Sequence, residues 1–384
     1  MKSNTSPVCS LAILQRVCTS YRLQLFERLA ARPELRVRLF IGSDLPDSKV
    51  RSTPDFGALE VVTLPTRWFG VGRRVVPWHR GLAKALRSFA PDVILSEGDS
   101  HLLAFLTAAR VRSEQAGRAL VHWGLGGLPG EDAACFVNRL KRPLQSRADA
   151  FLVYSSFGRD VMVQVGHPPE RIVVAVNVSD TQRHCAASDA WVATRSQARA
   201  ALGLPERFTA LSVGAMDANK RIEVLIEAVA ELDPTRFGVL IVGSGERLES
   251  LRSNVRRRGL SNVHLVGGVP APELVRYYRA ADVLVLPGRG GMVISEAMAH
   301  RLPVIVHQAD GTEADLVRDA ETGFRLESGR AEDFRRALER LAAEPERGER
   351  MGERGRRLVD EELNMAAMVD RVLQVCRIAG EARN

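Results

Sequence analysis

The stretch DVLVLPGRGGMVISEAMAHRLPVIV, residues 282–306, constrains the fold of this chain more than any other. DVLVLP is a short apolar run rich in branched residues, the pattern of a strand buried on both faces of a parallel sheet. Pro287 ends it. Gly288, Gly290 and Gly291 then let the backbone turn tightly and present amides that no Cβ shields. From Met292 the apolar spacing becomes helical, through Ile294, Ala297 and Met298, and Pro303 opens a second buried strand, PVIV. Strand, glycine turn, helix and strand make half of a doubly wound unit. The start of such a helix has unpaired N–H groups and the positive end of the peptide dipoles, so it suits a phosphate. Glu296, about one turn inside, is placed to reach sugar hydroxyls near that phosphate. The same pattern also suits a plain βαβ packing unit whose glycines bring helix and sheet together.

The rest of the chain repeats this layout. SLAILQ, RVRLFIG, LEVVTLP, PDVILSEG, ALVHWG, DAFLVYSS and RIVVAVN read as short buried strands with helical stretches between them, among them HLLAFLTAARV and a helix from about Phe157. Residues 181–200 lose the strand pattern and read as a connection leading into a helix. FTALSVGA, FGVLIVGSGE and NVHLVGGVP then alternate with the amphipathic RIEVLIEAVAEL, a basic helix and PELVRYYRAA. A chain of 384 residues exceeds what one core holds, so two domains are expected. The boundaries read as 1–185 and 186–361, with a last helix in 362–384 returning to the first domain.

Two loops of the first half stand out. PTRWFGVGRRVVPWHRGL (65–82) mixes Trp68, Phe69 and Trp78 with Arg67, Arg73, Arg74 and Arg80, which suits a membrane interface, stacking on a sugar or base, or a loop pinned by buried tryptophans. VHWGLGGLPGE (121–131) puts His122 and a glycine-rich loop at the carboxyl end of a strand, where open α/β sheets bind ligands. His122 is therefore a catalytic candidate as well as a structural one.

Charge is unevenly spread. Residues 1–180 carry 24 Lys+Arg against 16 Asp+Glu, while the remainder balances at 30 of each, so the net +8 belongs to the first half. Such an excess suits nucleic acid, acidic lipid or a phosphorylated substrate, or is a solvated arginine-rich surface. Cys9, Cys18, Cys135, Cys185 and Cys376 are odd in number and form no CxxC pair, which argues against a disulfide framework or zinc site and for a reducing compartment. No run approaches the roughly 18 apolar residues of a membrane span, so a soluble cytoplasmic chain is expected.

Between Leu211 and Leu326 the second half resembles the retaining glycosyltransferases of family 4, which have the GT-B fold: an α/β architecture of two Rossmann-like, doubly wound parallel-sheet domains facing an interdomain cleft. The resemblance rests on SVGAMDANKRIEVLIEA, LIVGSGE, VHLVGGVP, YYRAADVLVLPGRGG, ISEAMAHRLPVIV and GTEADLVRDAETGF in the family's order and spacing. YSSFGRD, PPERIVVAVN and the placement of HWGLGG extend it into the first half. It implies transfer of a sugar from a UDP- or GDP-linked donor to a saccharide, lipid-linked or small-molecule acceptor, with retention, and with no metal or other cofactor.

The resemblance assigns the donor to Lys220, Arg221, Gly243, Gly268, Arg289, Gly290, Gly291, Met292 and Glu296, with Glu296 on the ribose and Lys220 on the diphosphate. Tyr21, Arg22, Trp123 and Gly124 are expected on the acceptor side, with His122 at the reacting centre. Two positions depart from the family pattern. Gly288 stands where the family has a Glu on the donor sugar, and Ala215 where it has an Arg on the diphosphate; Arg221 and Arg289 are the candidate substitutes. A sugar-nucleotide 2-epimerase of similar fold and a weakly catalytic sugar-nucleotide-binding partner protein are the alternatives. The expected partners are a nucleotide-sugar, a saccharide or lipid-linked acceptor and an anionic membrane surface met by the first domain, with no nucleic acid. The location that follows is the cytoplasm, peripheral on the inner membrane face.

Overall fold

The structure, a computed structural model, describes residues 9–44, 51–71, 74–98, 101–129 and 143–383. Cys135, Arg73 and the end of the 121–131 loop lie outside them. The chain divides into two compact units, Met1–Ala175 with Ala366–Asn384, and Val176–Met365.

In the first unit the strands are β1 (Cys9–Gln15), β2 (Leu35–Gly42), β3 (Val61–Leu64), β4 (Thr66–Val71), β5 (Arg74–His79), β6 (Val93–Glu97), β7 (Ala119–Gly124), β8 (Ala150–Val153) and β9 (Ile172–Val174). Seven of them form a sheet in the order β3-β2-β1-β6-β7-β8-β9, parallel throughout. Every residue of β7 is buried, which is why ALVHWG reads as an unbroken apolar run rather than an alternating one. The last helix, Met365–Glu381, runs largely within this unit and buries Met368, Val369, Val372, Val375, Cys376 and Ala379 at helical spacing.

The second unit holds β10 (Phe208–Val213), β11 (Phe237–Val242), β12 (Val263–Gly267), β13 (Val283–Leu286), β14 (Val304–His307) and β15 (Gly323–Leu326) in the order β12-β11-β10-β13-β14-β15, again parallel. The sheet is covered on both faces. In β11, Val239 and Ile241 enter one apolar cluster while Leu240 and Val242 enter the other.

Two expectations change. The 65–82 loop is largely an antiparallel hairpin, β4 on β5, outside the main sheet. Residues 181–200 are two helices, Thr181–Asp189 and Arg195–Ala201, the second opened by a capping box of Thr194 and Gln197. The first of them buries only Thr181, Cys185 and Ser188, so it carries almost no apolar stripe for the sequence to reveal. Cys185 packs in the second unit's core, and the division between units falls at Ala175/Val176 rather than at 185/186.

Candidate functional site

In the second sheet the chain works outward from β10 in one direction and from β13 in the other, and these two strands are neighbours. Loops leaving the carboxyl ends of such a strand pair diverge, and the crevice between them is where doubly wound sheets take ligands. The β10 loop leads through the 3-10 turn Ala218–Lys220, and the β13 loop is Pro287–Met292. The two are in direct contact: the amide of Arg289 donates to the carbonyl of Asn219 (3.0 Å), and Lys220 Nζ donates to the carbonyl of Arg289. Burial holds the Lys220 amine below the usual lysine range, against the pull of Asp217, Asp310 and Glu313. The result is a cation fixed at the switch point.

This contact explains Gly288. A Cβ there would lie 2.0 Å from the carbonyl oxygen of Asn219, so no side chain fits, and the family's Glu has no room in this backbone. Gly291 has φ +60°, a left-handed conformation that a glycine takes without strain, with open space around it. Beyond it Val293–Ala299 forms a helix of seven residues. Met292 is half-buried, and Gly290 fits closely against Leu286 and Ile294.

The two substitute arginines separate. Arg289 is exposed and close enough to Lys220 to depress its pKa further. Arg221 instead turns to the carbonyl of Gly329 (2.8 Å) and is committed there. Gly243 is pressed against the carbonyl of Gly214, where a Cβ would come within 1.8 Å, whereas Gly268 has ordinary room. Both are backbone positions in the loops after β11 and β12.

Glu296 is held from the side. Tyr278 Oη donates to its Oε2 (2.8 Å), and Nε2 of His184 lies 4.0 Å from Oε1. The Tyr278 ring is stacked on His300, with centroids 4.7 Å apart and planes 8° from parallel. Sequence reasoning missed Tyr278 and His184, and also the β14 loop, where the buried Glu313 carboxylate accepts the amides of Gly311 (2.9 Å) and Asp310 (3.3 Å). Burial, then Asp310, pushes that carboxyl above the usual range.

In the first unit β1 and β6 are the equivalent neighbours. Helix Ser20–Ala30 starts after β1, and Arg22 on its first turn is 9% exposed. Its guanidinium lies 4.5 Å over the Trp123 ring and 5.0 Å over Tyr154, and its Nη2 donates to Tyr154 Oη. Arg22 Nη1 and Trp123 Nε1 are buried donors without an acceptor. Tyr21 is exposed and Gly124 ends β7. Tyr154 was not expected. His122 lies inside β7, not at its end; it is 2% exposed, with its ring 5.3 Å from Phe105 and 6.0 Å from Phe151. Gly98 makes room for it, since a Cβ there would meet Nε2 at 1.9 Å.

Comparison with known proteins decides the family. Residues 194–358 match Glycosyl transferases group 1, and residues 20–183 match Glycosyltransferase Family 4. The chain belongs to glycosyltransferase family 4. Among curated members, the alpha-D-kanosaminyltransferase of Streptomyces kanamyceticus is 30% identical over 243 residues, 61% of each chain. The D-inositol 3-phosphate glycosyltransferase of Thermomonospora curvata is 35% identical over 195 residues, 47% of this chain and 45% of its own. The matched stretch thus spans about half to three-fifths of these relatives. The fold is that of solved GT-B chains. Anabaena HepE, in complex with UDP, superimposes with a TM-score of 0.74 at 17% identity over 96% of this family 4 chain and 99% of its own. Sucrose-phosphate synthase from Thermosynechococcus elongatus gives 0.72 at 21% identity over 96% and 98%.

Proposed function

We propose that this family 4 chain is a metal-independent, retaining glycosyltransferase that moves a sugar from a UDP- or GDP-linked donor to a saccharide, lipid-linked or small-molecule acceptor. The observation that carries the reading is the fixed Lys220 amine beside the Gly288–Met292 turn at the second unit's switch point. As the bond to the sugar breaks, the leaving diphosphate gains negative charge. A cation and amides already positioned there stabilise the transition state more than the bound donor. Arg289 adds a second cation in place of the Arg absent at Ala215, and Glu296 accepts ribose hydroxyls. Retention requires the acceptor to approach on the face from which diphosphate departs, so the diphosphate itself is the base nearest the acceptor hydroxyl. Arg22 and Trp123, with open donors, suit an acceptor that brings anionic oxygens. The named relatives, a kanosaminyl- and an inositol 3-phosphate glycosyltransferase, support the reaction class.

Incubation with a panel of UDP- and GDP-sugars and acceptors, read by mass spectrometry, tests this; a glycosylated product with the donor's anomeric configuration is expected. Inversion would remove the retaining mechanism, and nucleotide binding without product from any pair would leave the binding-partner reading that the missing Glu at 288 favours. Conversion of the sugar-nucleotide to its 2-epimer would indicate the epimerase. The same assay tests the catalytic role expected of His122: lower turnover in His122→Gln would support it, and unchanged turnover would make it a core residue only.

A further inference from the structure

Tyr278 lies near the end of helix Leu274–Ala280, shortly before β13, and is 1% exposed. It packs in the apolar cluster that also holds Leu284, Leu286, Ile294 and Ala297, and its ring is stacked on that of His300, itself buried. His300 in turn meets the His184 ring edge-on, with centroids 5.7 Å apart and planes at 84°. A ring wedged into a close-packed interior has little room to move, so its hydroxyl is a fixed point rather than a group that follows its partner. Burial, then Glu296, pushes that hydroxyl well above the usual tyrosine range, so it keeps its proton and serves as a donor.

Glu296 is the opposite kind of group. Its side chain is 17% exposed, the terminal torsion of a glutamate is broad, and its carboxylate offers two oxygens, each able to accept. Among the described residues, the hydrogen bond to that carboxylate comes from Tyr278 Oη, which donates to Oε2 (2.8 Å). Oε1 lies 4.0 Å from Nε2 of His184, beyond hydrogen-bond length, and remains for another donor. The backbone of Glu296 is tied to the glycine turn, its amide donating to the carbonyl of Met292 (3.1 Å). The residue is thus fixed at its backbone by the turn and at one carboxylate oxygen by Tyr278, with the other oxygen left over.

We propose that Tyr278 is a positioning residue for the donor: by holding Glu296 Oε2 it presents Oε1 to the ribose hydroxyls before the nucleotide arrives. This rests on the reading of Glu296 as the ribose ligand. Ordering completed in the free protein is not lost again on binding, so removal of the phenol hydroxyl should weaken nucleotide binding through Glu296 alone. Calorimetric titration of the full chain with UDP, GDP and their 2′,3′-dideoxy forms tests this in wild type, Tyr278→Phe, Glu296→Ala and the double variant. Tyr278→Phe keeps the stacked ring and removes only the donor. It should weaken the nucleotide that binds about five- to tenfold, leave the dideoxy form unchanged, and have no further effect once residue 296 is alanine. Wild-type affinity in Tyr278→Phe beside weakened binding in Glu296→Ala overturns the proposal and leaves the donor reading standing. Equal weakening of the ribose and dideoxy forms overturns it too, since Tyr278 would then shape the turn rather than aim the carboxylate. Unchanged affinity in Glu296→Ala, or no binding of either nucleotide, removes the donor reading itself and the positioning role with it.

Discussion

Gly288 is glycine because the backbone of Asn219 already occupies the space a side chain would need. The sequence shows only that a family Glu is absent; the reason is a contact between two loops far apart in the chain. Gly288→Glu should therefore not restore a family-like site. It forces the β13 loop off the β10 loop, costs on the order of 1–3 kcal/mol of stability as overpacking does, and loosens the Lys220 anchor. Thermal unfolding and donor turnover of this variant check the point: a lower midpoint with no gain in turnover is expected, whereas a gain at unchanged stability would mean that the loop adapts. Glu296 is expected from its place one turn inside the helix after the glycine turn, and Lys220 from the family pattern that this stretch resembles. Their neighbours are not. Tyr278 reaches Glu296 from another helix, and His184 from a segment with no apolar signature. Arg221 looked interchangeable with Arg289 in sequence, and only the carbonyl of Gly329 distinguishes them.

At the scale of elements the β4–β5 hairpin changes most. Arg67 faces Trp78 and Phe69 faces Val76 across the ladder, so all four share one face. Phe69 is 51% exposed and Trp78 39%, with Arg67 and Arg80 exposed beside them, while Pro77 and His79 are buried. An aromatic face rimmed by arginine, on the half that carries the net positive charge, suits an anionic bilayer. Flotation with anionic vesicles is expected, lost at high salt and in Phe69→Ser with Trp78→Ser; equal binding to neutral vesicles, or none, would point to a soluble acceptor. The hairpin is anchored by histidines. Thr66 Oγ1 donates to the carbonyl of Leu64 and accepts from His79 Nδ1 (2.8 Å), which leaves His79 Nε2 to accept from Nε2 of His101. Burial pulls His79 down to about 4, and burial, then His79, pulls His101 down to about 3. The unfolded chain protonates both near pH 6.5, so it gains protons that the folded unit refuses. Stability should therefore fall as pH drops below about 6.5, the His79 part being spent by about pH 4 and the His101 part by about pH 3, by on the order of several kcal/mol in all. Urea midpoints across that range should show a shallower fall in His101→Leu; an identical profile would place the titration elsewhere.

At the scale of the whole molecule, the two parallel sheets were readable because a strand buried on both faces is a short apolar run whatever its neighbours. Strand β11 shows this, feeding one apolar cluster from each face. What stayed hidden was where polar helices and a short hairpin belong, since neither depends on an apolar period. The repeated order of strands puts a switch point in each unit, and the account rests on the second of them as the donor site. Titration of the full chain with UDP and GDP, in wild type, Lys220→Ala and Glu296→Ala, tests this most directly. One nucleotide should bind the wild type, and each variant should weaken it on the order of 10- to 100-fold, as loss of a charge-assisted contact does. Wild-type affinity in both variants would contradict the account.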